Sequence, residues 1–155
     1  MTFLLQIKDR HDGNILLDQE GHLVHIDFGF MLSNSPGYVG FESAPFKLTP
    51  EYIELLGGLY SPDFVRFKEL LFQGLLELRK HHERILVLVE GMLRDSQLPC
   101  FYAGEGALSH LRQRFHLALT EGQLRQMVER LVISSAFNVF TKLYDTFQYY
   151  SNGIL

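Results

Sequence analysis

The chain has almost no cysteine, no surplus of positive charge and no long apolar run, and each lack removes a class of function. One cysteine, Cys100, in 155 residues leaves no partner for an intrachain disulfide, which fits a reducing compartment. With 14 Lys and Arg against 18 Asp and Glu the formal net charge is -4. No basic excess is therefore present to drive nucleic-acid binding through phosphate neutralisation. No stretch approaches the roughly 18 apolar residues of a transmembrane helix, and the opening residues do not follow the signal-peptide pattern. Together these lacks predict a cytoplasmic protein that meets membranes only from the side, without nucleic acid as a partner. Cys100 follows Pro99 and precedes Phe101-Tyr102 with no His within several residues, so packing is the expected role rather than thiol chemistry.

What is present is a 46% hydrophobic content over the length of one ordinary domain, enough to build a core. No internal repeat or low-complexity tract interrupts it. The most informative residues come first: Asp9-Arg10-His11-Asp12-Gly13-Asn14, and then Asp27-Phe28-Gly29. Between them, Ile15-Leu16-Leu17 reads as a strand, Asp18-Gln19-Glu20-Gly21 as a polar turn, and His22 to Ile26 as a second strand. A bend near Glu20 and Gly21 is expected to set Asn14 and Asp27 nearly opposite each other. Facing residues of an antiparallel pair lie roughly 4.5 to 5.5 Å apart, so an amide and a carboxylate there suit a hard cation such as Mg²⁺. Asp9 or His11, on the preceding loop, could accept the proton of an attacking hydroxyl. A solvated turn Asp is the plain alternative for Asp9.

Protein kinases use the same interval between a catalytic-loop Asp and a metal-binding Asn, but with His and Arg before the Asp. Here Arg10 and His11 follow it. With that inverted order, Gln6 to His11, Gly13 to Leu17 and His25 to Gly29 resemble the phosphatidylinositol 3- and 4-kinase family, closest to the type III phosphatidylinositol 4-kinases of the beta kind. Phe41 to Thr49, Ser96 to Phe101, Thr141 to Asp145 and Asn152 to Leu155 carry the likeness along nearly the whole chain.

The resemblance implies an α+β, mostly α fold: the large, C-terminal lobe of a lipid-kinase catalytic domain. It implies ATP and Mg²⁺ (or Mn²⁺) as cofactors, and phosphatidylinositol as a partner met in intracellular membranes, those of the Golgi. Asp9 and His11 would serve the attack, with the choice of base open. Asn14 and Asp27 would bind metal, and Ile26 with them would hold the nucleotide. Phe30 to Leu48 would be the activation loop, in which Phe30 and Lys47 are the candidate substrate contacts. That loop holds a single basic residue, Lys47, whereas an already phosphorylated inositol ring brings roughly one and a half to two charges per phosphate. Unphosphorylated phosphatidylinositol fits better, and a merely superficial Lys47 is the alternative. Transfer to the 4-hydroxyl comes from resemblance alone.

Arg10 is expected to be structural, paired with a carboxylate, and His25 to support the strand. His81-His82 reads as a solvent-facing pair, since adjacent helical residues point in different directions. Asp12 stands where the resemblance calls for Asn. Its extra negative charge would weaken nucleotide affinity or shift metal preference, to be seen by comparing Mg²⁺ dependence with Asp12→Asn. Tyr38, Phe41 and Phe46 would rest against lipid or pack inward, and Phe147, Tyr149, Tyr150, Ile154 and Leu155 would touch a membrane interface or pack as an ordinary helix.

Residues 1–48 thus read as catalytic loop, hairpin and activation loop, and 49–155 as a helical body. Expected helices begin at Pro50 after Thr49, at Pro62 after Ser61, near Glu83, near Ala107 and after Thr120, the last running on as one apolar stripe from Leu124 to Phe147. A glycine-rich phosphate loop and an upstream Lys, the parts of a small lobe, are missing. Apolar Ile15, Leu17 and Ile26 would then border a one-walled adenine cleft, with negligible phosphotransfer by this chain alone. A non-catalytic membrane- or partner-binding module and a related serine/threonine kinase are the rival readings.

Overall fold

The computed structural model describes residues 1–36 and 44–153. Tyr38, Phe41, Ile154 and Leu155 lie outside them. The described residues form helices α1 (Thr2–Leu5), α2 (Pro50–Leu55), α3 (Pro62–Lys80), α4 (His82–Leu93), α5 (Glu105–Arg114), α6 (Glu121–Ala136) and α7 (Val139–Asn152), with one hairpin of β1 (Ile15–Leu17) and β2 (Leu23–His25). The mostly α, α+β class follows from the sequence pattern.

Helix starts obey local chemistry. Ser61 Oγ accepts the Phe64 amide at 3.0 Å, with Pro62 at the first helical position, where its missing N–H costs nothing. Pro50 opens α2 in the same way, but Thr49 makes no side-chain cap. The stop of α2 needs glycine: Gly58 lies at φ 92° and its amide reaches back to the Ile53 carbonyl at 2.8 Å. Thr120 and Gln123 close a reciprocal capping box on α6, the Gln123 amide to Thr120 Oγ1 at 3.3 Å and the Thr120 amide to Gln123 Oε1 at 2.9 Å. Thr120→Ala is expected to cost about 0.5–2 kcal/mol, read as a lower urea midpoint at unchanged slope. No loss at all would show that the box contributes nothing.

Two apolar clusters make the core. One joins Leu48, Phe64, Phe72 and Leu75 to Leu124, Val128 and Val132, where α3 packs on α6. The other joins Leu4, Leu32, Leu86, Phe101, Leu108, Leu111 and Phe115, where α4 packs on α5. The second cluster also fixes the segment that carries the Asp9–Asn14 loop and the hairpin. Leu4 is buried on α5, the Arg114 guanidinium donates to the Leu4 carbonyl at 2.7 Å, and the Leu32 amide donates to the Leu5 carbonyl at 2.8 Å. Residues 6–31 are therefore held at both ends by the body.

Several expectations need correction. The single last helix is two: Phe137 leaves helical geometry (φ -103°, ψ 18°) and Asn138, a weak helix former, separates α6 from α7. An apolar stripe alone does not register a change in direction. The short α1 escaped the reading of the first 48 residues, because four residues are too few for periodicity. His82 is half-buried rather than solvent-facing. Its Nδ1 lies 2.7 Å from the Arg79 carbonyl and its ring meets Phe115 edge-on.

Candidate functional site

The site grows from the hairpin turn. Asp18 takes the Glu20 and His22 amides on its carboxylate at 2.9 and 2.8 Å, while Gly21 at φ 87° lets the chain reverse. The turn spans five residues, 18–22, between the paired Leu17 and Leu23. That odd number shifts the register by one from the expected pairing. Ile15 pairs with His25, and the Ile26 amide donates to the Asn14 carbonyl at 3.1 Å. Asn14 thus stands opposite Ile26, with Asp27 one step further on.

Register also decides the faces. Leu16, Val24 and Ile26 lie on one side, with exposures of 49%, 44% and 38%. Ile15, Leu23 and His25 lie on the other, lining a cavity of about 130 Å³ with Phe46, Lys47 and Tyr52. Ile15 and Leu17 therefore do not share a face with Ile26 as the sequence reading had it. Leu16 and Val24 replace them, and only the register identifies them.

Asp9, Arg10, His11 and Asn14 form one knot. Arg10 is 7% exposed and extends its guanidinium along four backbone carbonyls. Nε donates to Lys8 at 2.8 Å, one terminal nitrogen to Ile26 at 2.7 Å and Asn14 at 3.3 Å, and the other to Asp27. Its Cζ also lies 5.8 Å from the Phe28 ring centre. Arg10 is structural, as expected, and these partners are backbone carbonyls. They tie the loop before β1 to the segment after β2. The Asn14 amide nitrogen donates to the Asp9 carbonyl at 2.9 Å. Asp9 and Asp27 both occupy left-handed backbone, at φ 61° and 55°, conformations costing about 1–3 kcal/mol each that persist only where surroundings enforce them.

His11 is buried beside Asp9, with Nε2 3.9 Å from Oδ1. That is beyond hydrogen-bond length and within reach of a tightening on substrate binding. Its Nδ1 is buried with no hydrogen-bond partner among the described residues. Burial, and then the charge of Arg10, holds His25 below the usual imidazole range, so it stays neutral near pH 7.

Phe30 is half-buried, and its carbonyl accepts the Lys8 amide at 2.9 Å. Lys47 is not superficial: its side chain is 5% exposed, with Nζ 2.7 Å from Asp12 Oδ1 and 2.9 Å from Asp145 Oδ1. Burial pushes the Asp145 carboxyl above its ordinary range, and the Lys47 contact only partly counters it. Nothing in the sequence points to a pairing of Asp145 with Lys47, which lies 98 positions away. The Asp12 charge expected to disturb metal binding is thus matched by a cation.

The donor set fits a hard cation. Because the Asn14 amide nitrogen is spent on Asp9, its carbonyl oxygen remains as acceptor. Asp27 is exposed and uses Oδ1 for the Gly29 amide at 3.0 Å, leaving Oδ2. Two such oxygens suit Mg²⁺, which keeps several waters and takes the rest of its shell from phosphates.

A family model described as phosphatidylinositol 3- and 4-kinase matches residues 1–101. Over all 155 residues the chain is 53% identical to a Danio rerio protein named phosphatidylinositol 4-kinase beta, and 52% identical to proteins of that name from Xenopus tropicalis and Rattus norvegicus. It spans only 18% or 19% of the length of these relatives.

Proposed function

The chain belongs to the phosphatidylinositol 3- and 4-kinase family, and from that premise we propose that it supplies the metal- and lipid-facing half of a phosphatidylinositol 4-kinase centre. The reaction is transfer of the γ-phosphoryl group of ATP to the 4-hydroxyl of phosphatidylinositol. The observation that carries this reading is the Arg10 clamp, which draws the Asp9–Asn14 loop and the Ile26–Asp27 segment together.

In this reading Asn14 and Asp27 hold Mg²⁺, which would neutralise charge on the β- and γ-phosphates. Leu16, Val24 and Ile26 offer an apolar floor for adenine. Asp9 and His11 orient the inositol hydroxyl and take its proton. Phe30 to Leu48 serves as the activation loop that reads the headgroup, and since its one basic residue, Lys47, is already shared between Asp12 and Asp145, an unphosphorylated inositol ring suits it better than a phosphorylated one. No described helix is long and apolar enough to cross a membrane, so contact with lipid would be peripheral. Tyr149 and Tyr150, both exposed on α7, have the amphipathic character of interfacial residues. A Golgi membrane is the site that the family resemblance favours.

The test joins the chain to what it does not span. Exchanging it for the matching segment of the Danio rerio relative should give phosphotransfer to phosphatidylinositol vesicles, whereas the isolated chain gives none detectable. A chimera that folds but phosphorylates peptides instead would favour a serine/threonine kinase. One that does neither would favour a binding module. In the chain itself, Mg·ATP binding followed by calorimetry should vanish in Asp27→Asn, and equal binding by both forms would remove Asp27 from the metal set.

A further inference from the structure

Lys47 is almost fully buried, a place where lysine is found only when paired. It faces two carboxylates, on segments remote from each other in sequence. Asp12 follows His11 directly and opens the turn whose Asn14 amide donates to the His11 carbonyl at 3.0 Å. Asp145 belongs to α7 and lies near enough to His11 for an imidazolium charge there to act on its carboxyl. A cation shared at 2.7 and 2.9 Å between the two anions is a strut, since its removal leaves two carboxylates repelling each other across the same gap.

We propose that Lys47 is a positioning residue that locks the His11–Asn14 turn to α7, and is not the cation that reads the lipid headgroup. The importance of that turn rests on the kinase reading above, but the lock does not. Engaged on both sides, the Lys47 ammonium has to abandon a carboxylate to meet a phosphodiester. Helix α7 thereby gains a route to the catalytic loop: a displacement that moves Asp145 loosens the turn that presents His11 and Asn14.

Amide hydrogen exchange in the 155-residue chain tests this without any activity. Lys47→Met should speed exchange of the Asn14 and Ile15 amides, bonded to the His11 and Asp12 carbonyls, about tenfold while amides of α3 and α6 keep their rates. Lys47→Arg, which keeps a cation between the carboxylates, should restore protection to within about twofold of the native chain. Should Lys47→Met not fold, Asp12→Asn serves instead. It alters an exposed carboxylate and should speed the same two amides by a smaller factor. Unchanged turn exchange in Lys47→Met, or in Asp12→Asn where that stands in for it, overturns the proposal. So does a loss of protection spread evenly over the chain, or failure of Arg to restore it. None of these results bears on whether the chimeric kinase is active, so the two readings fail separately.

Discussion

Arg10→Ala is expected to lower the unfolding free energy by about 2–5 kcal/mol and to abolish Mg·ATP binding. The four carbonyls on which the guanidinium closes belong to Lys8, Asn14, Ile26 and Asp27. Some of them would be left in a site too enclosed to hydrate freely, and each buried acceptor stranded in that way costs roughly 1–3 kcal/mol. Binding fails because the same contacts hold the segments that carry Asn14 and Asp27. Arg10→Lys should not rescue it, since an ammonium lacks the planar fork that reaches carbonyls on two sides. Urea unfolding followed by circular dichroism, paired with calorimetry of Mg·ATP, measures both effects. A Lys variant with native stability and affinity would show that charge alone suffices and that the clamp is unimportant.

The second large effect concerns proton transfer in the chimeric kinase. Asp9→Asn and His11→Gln should each lower kcat about 10²- to 10⁴-fold. Their double variant should fall little further. Groups that act as a unit lose nearly everything with the first member, and the buried His11 imidazole 3.9 Å from the Asp9 carboxylate is placed as such a unit. Full multiplication of the two losses would mean independent roles. A kcat unaffected by either change would remove both from the chemistry.

Both predictions depend on features that the sequence displayed unequally. The order Asp9-Arg10-His11 and its distance to Asn14 and Asp27 were legible, because candidate groups drawn from one short stretch leave a pattern in the chain. Helix starts were legible for a similar reason: Ser61-Pro62 and Thr120 with Gln123 act within one turn. The register was not. Whether five residues or four form the hairpin turn depends on Asp18 collecting amides and on Gly21 adopting a positive φ, and both options look alike as letters. Hence Asn14 came out opposite Asp27 instead of Ile26, and the apolar floor was assigned to Ile15 and Leu17 instead of Leu16 and Val24.

Long-range pairing was less accessible still. Arg10 could be seen as structural, but its carbonyl partners exist only when the loop and the segment after β2 are closed on each other. Lys47 was noticed as the lone basic residue of its segment, and isolation suggested a free charge. Its two carboxylates come from the loop before β1 and from α7.

What the amino-acid order determined by itself, then, is the chemistry carried within single turns and loops: the acids, the amide, the caps and the family to which their spacing belongs. What only the tertiary structure decided is which of those groups remain free to act. That depends on burial and on partners up to 98 positions away, and a charge neutralised across such a distance reads in the sequence the same as one exposed to water.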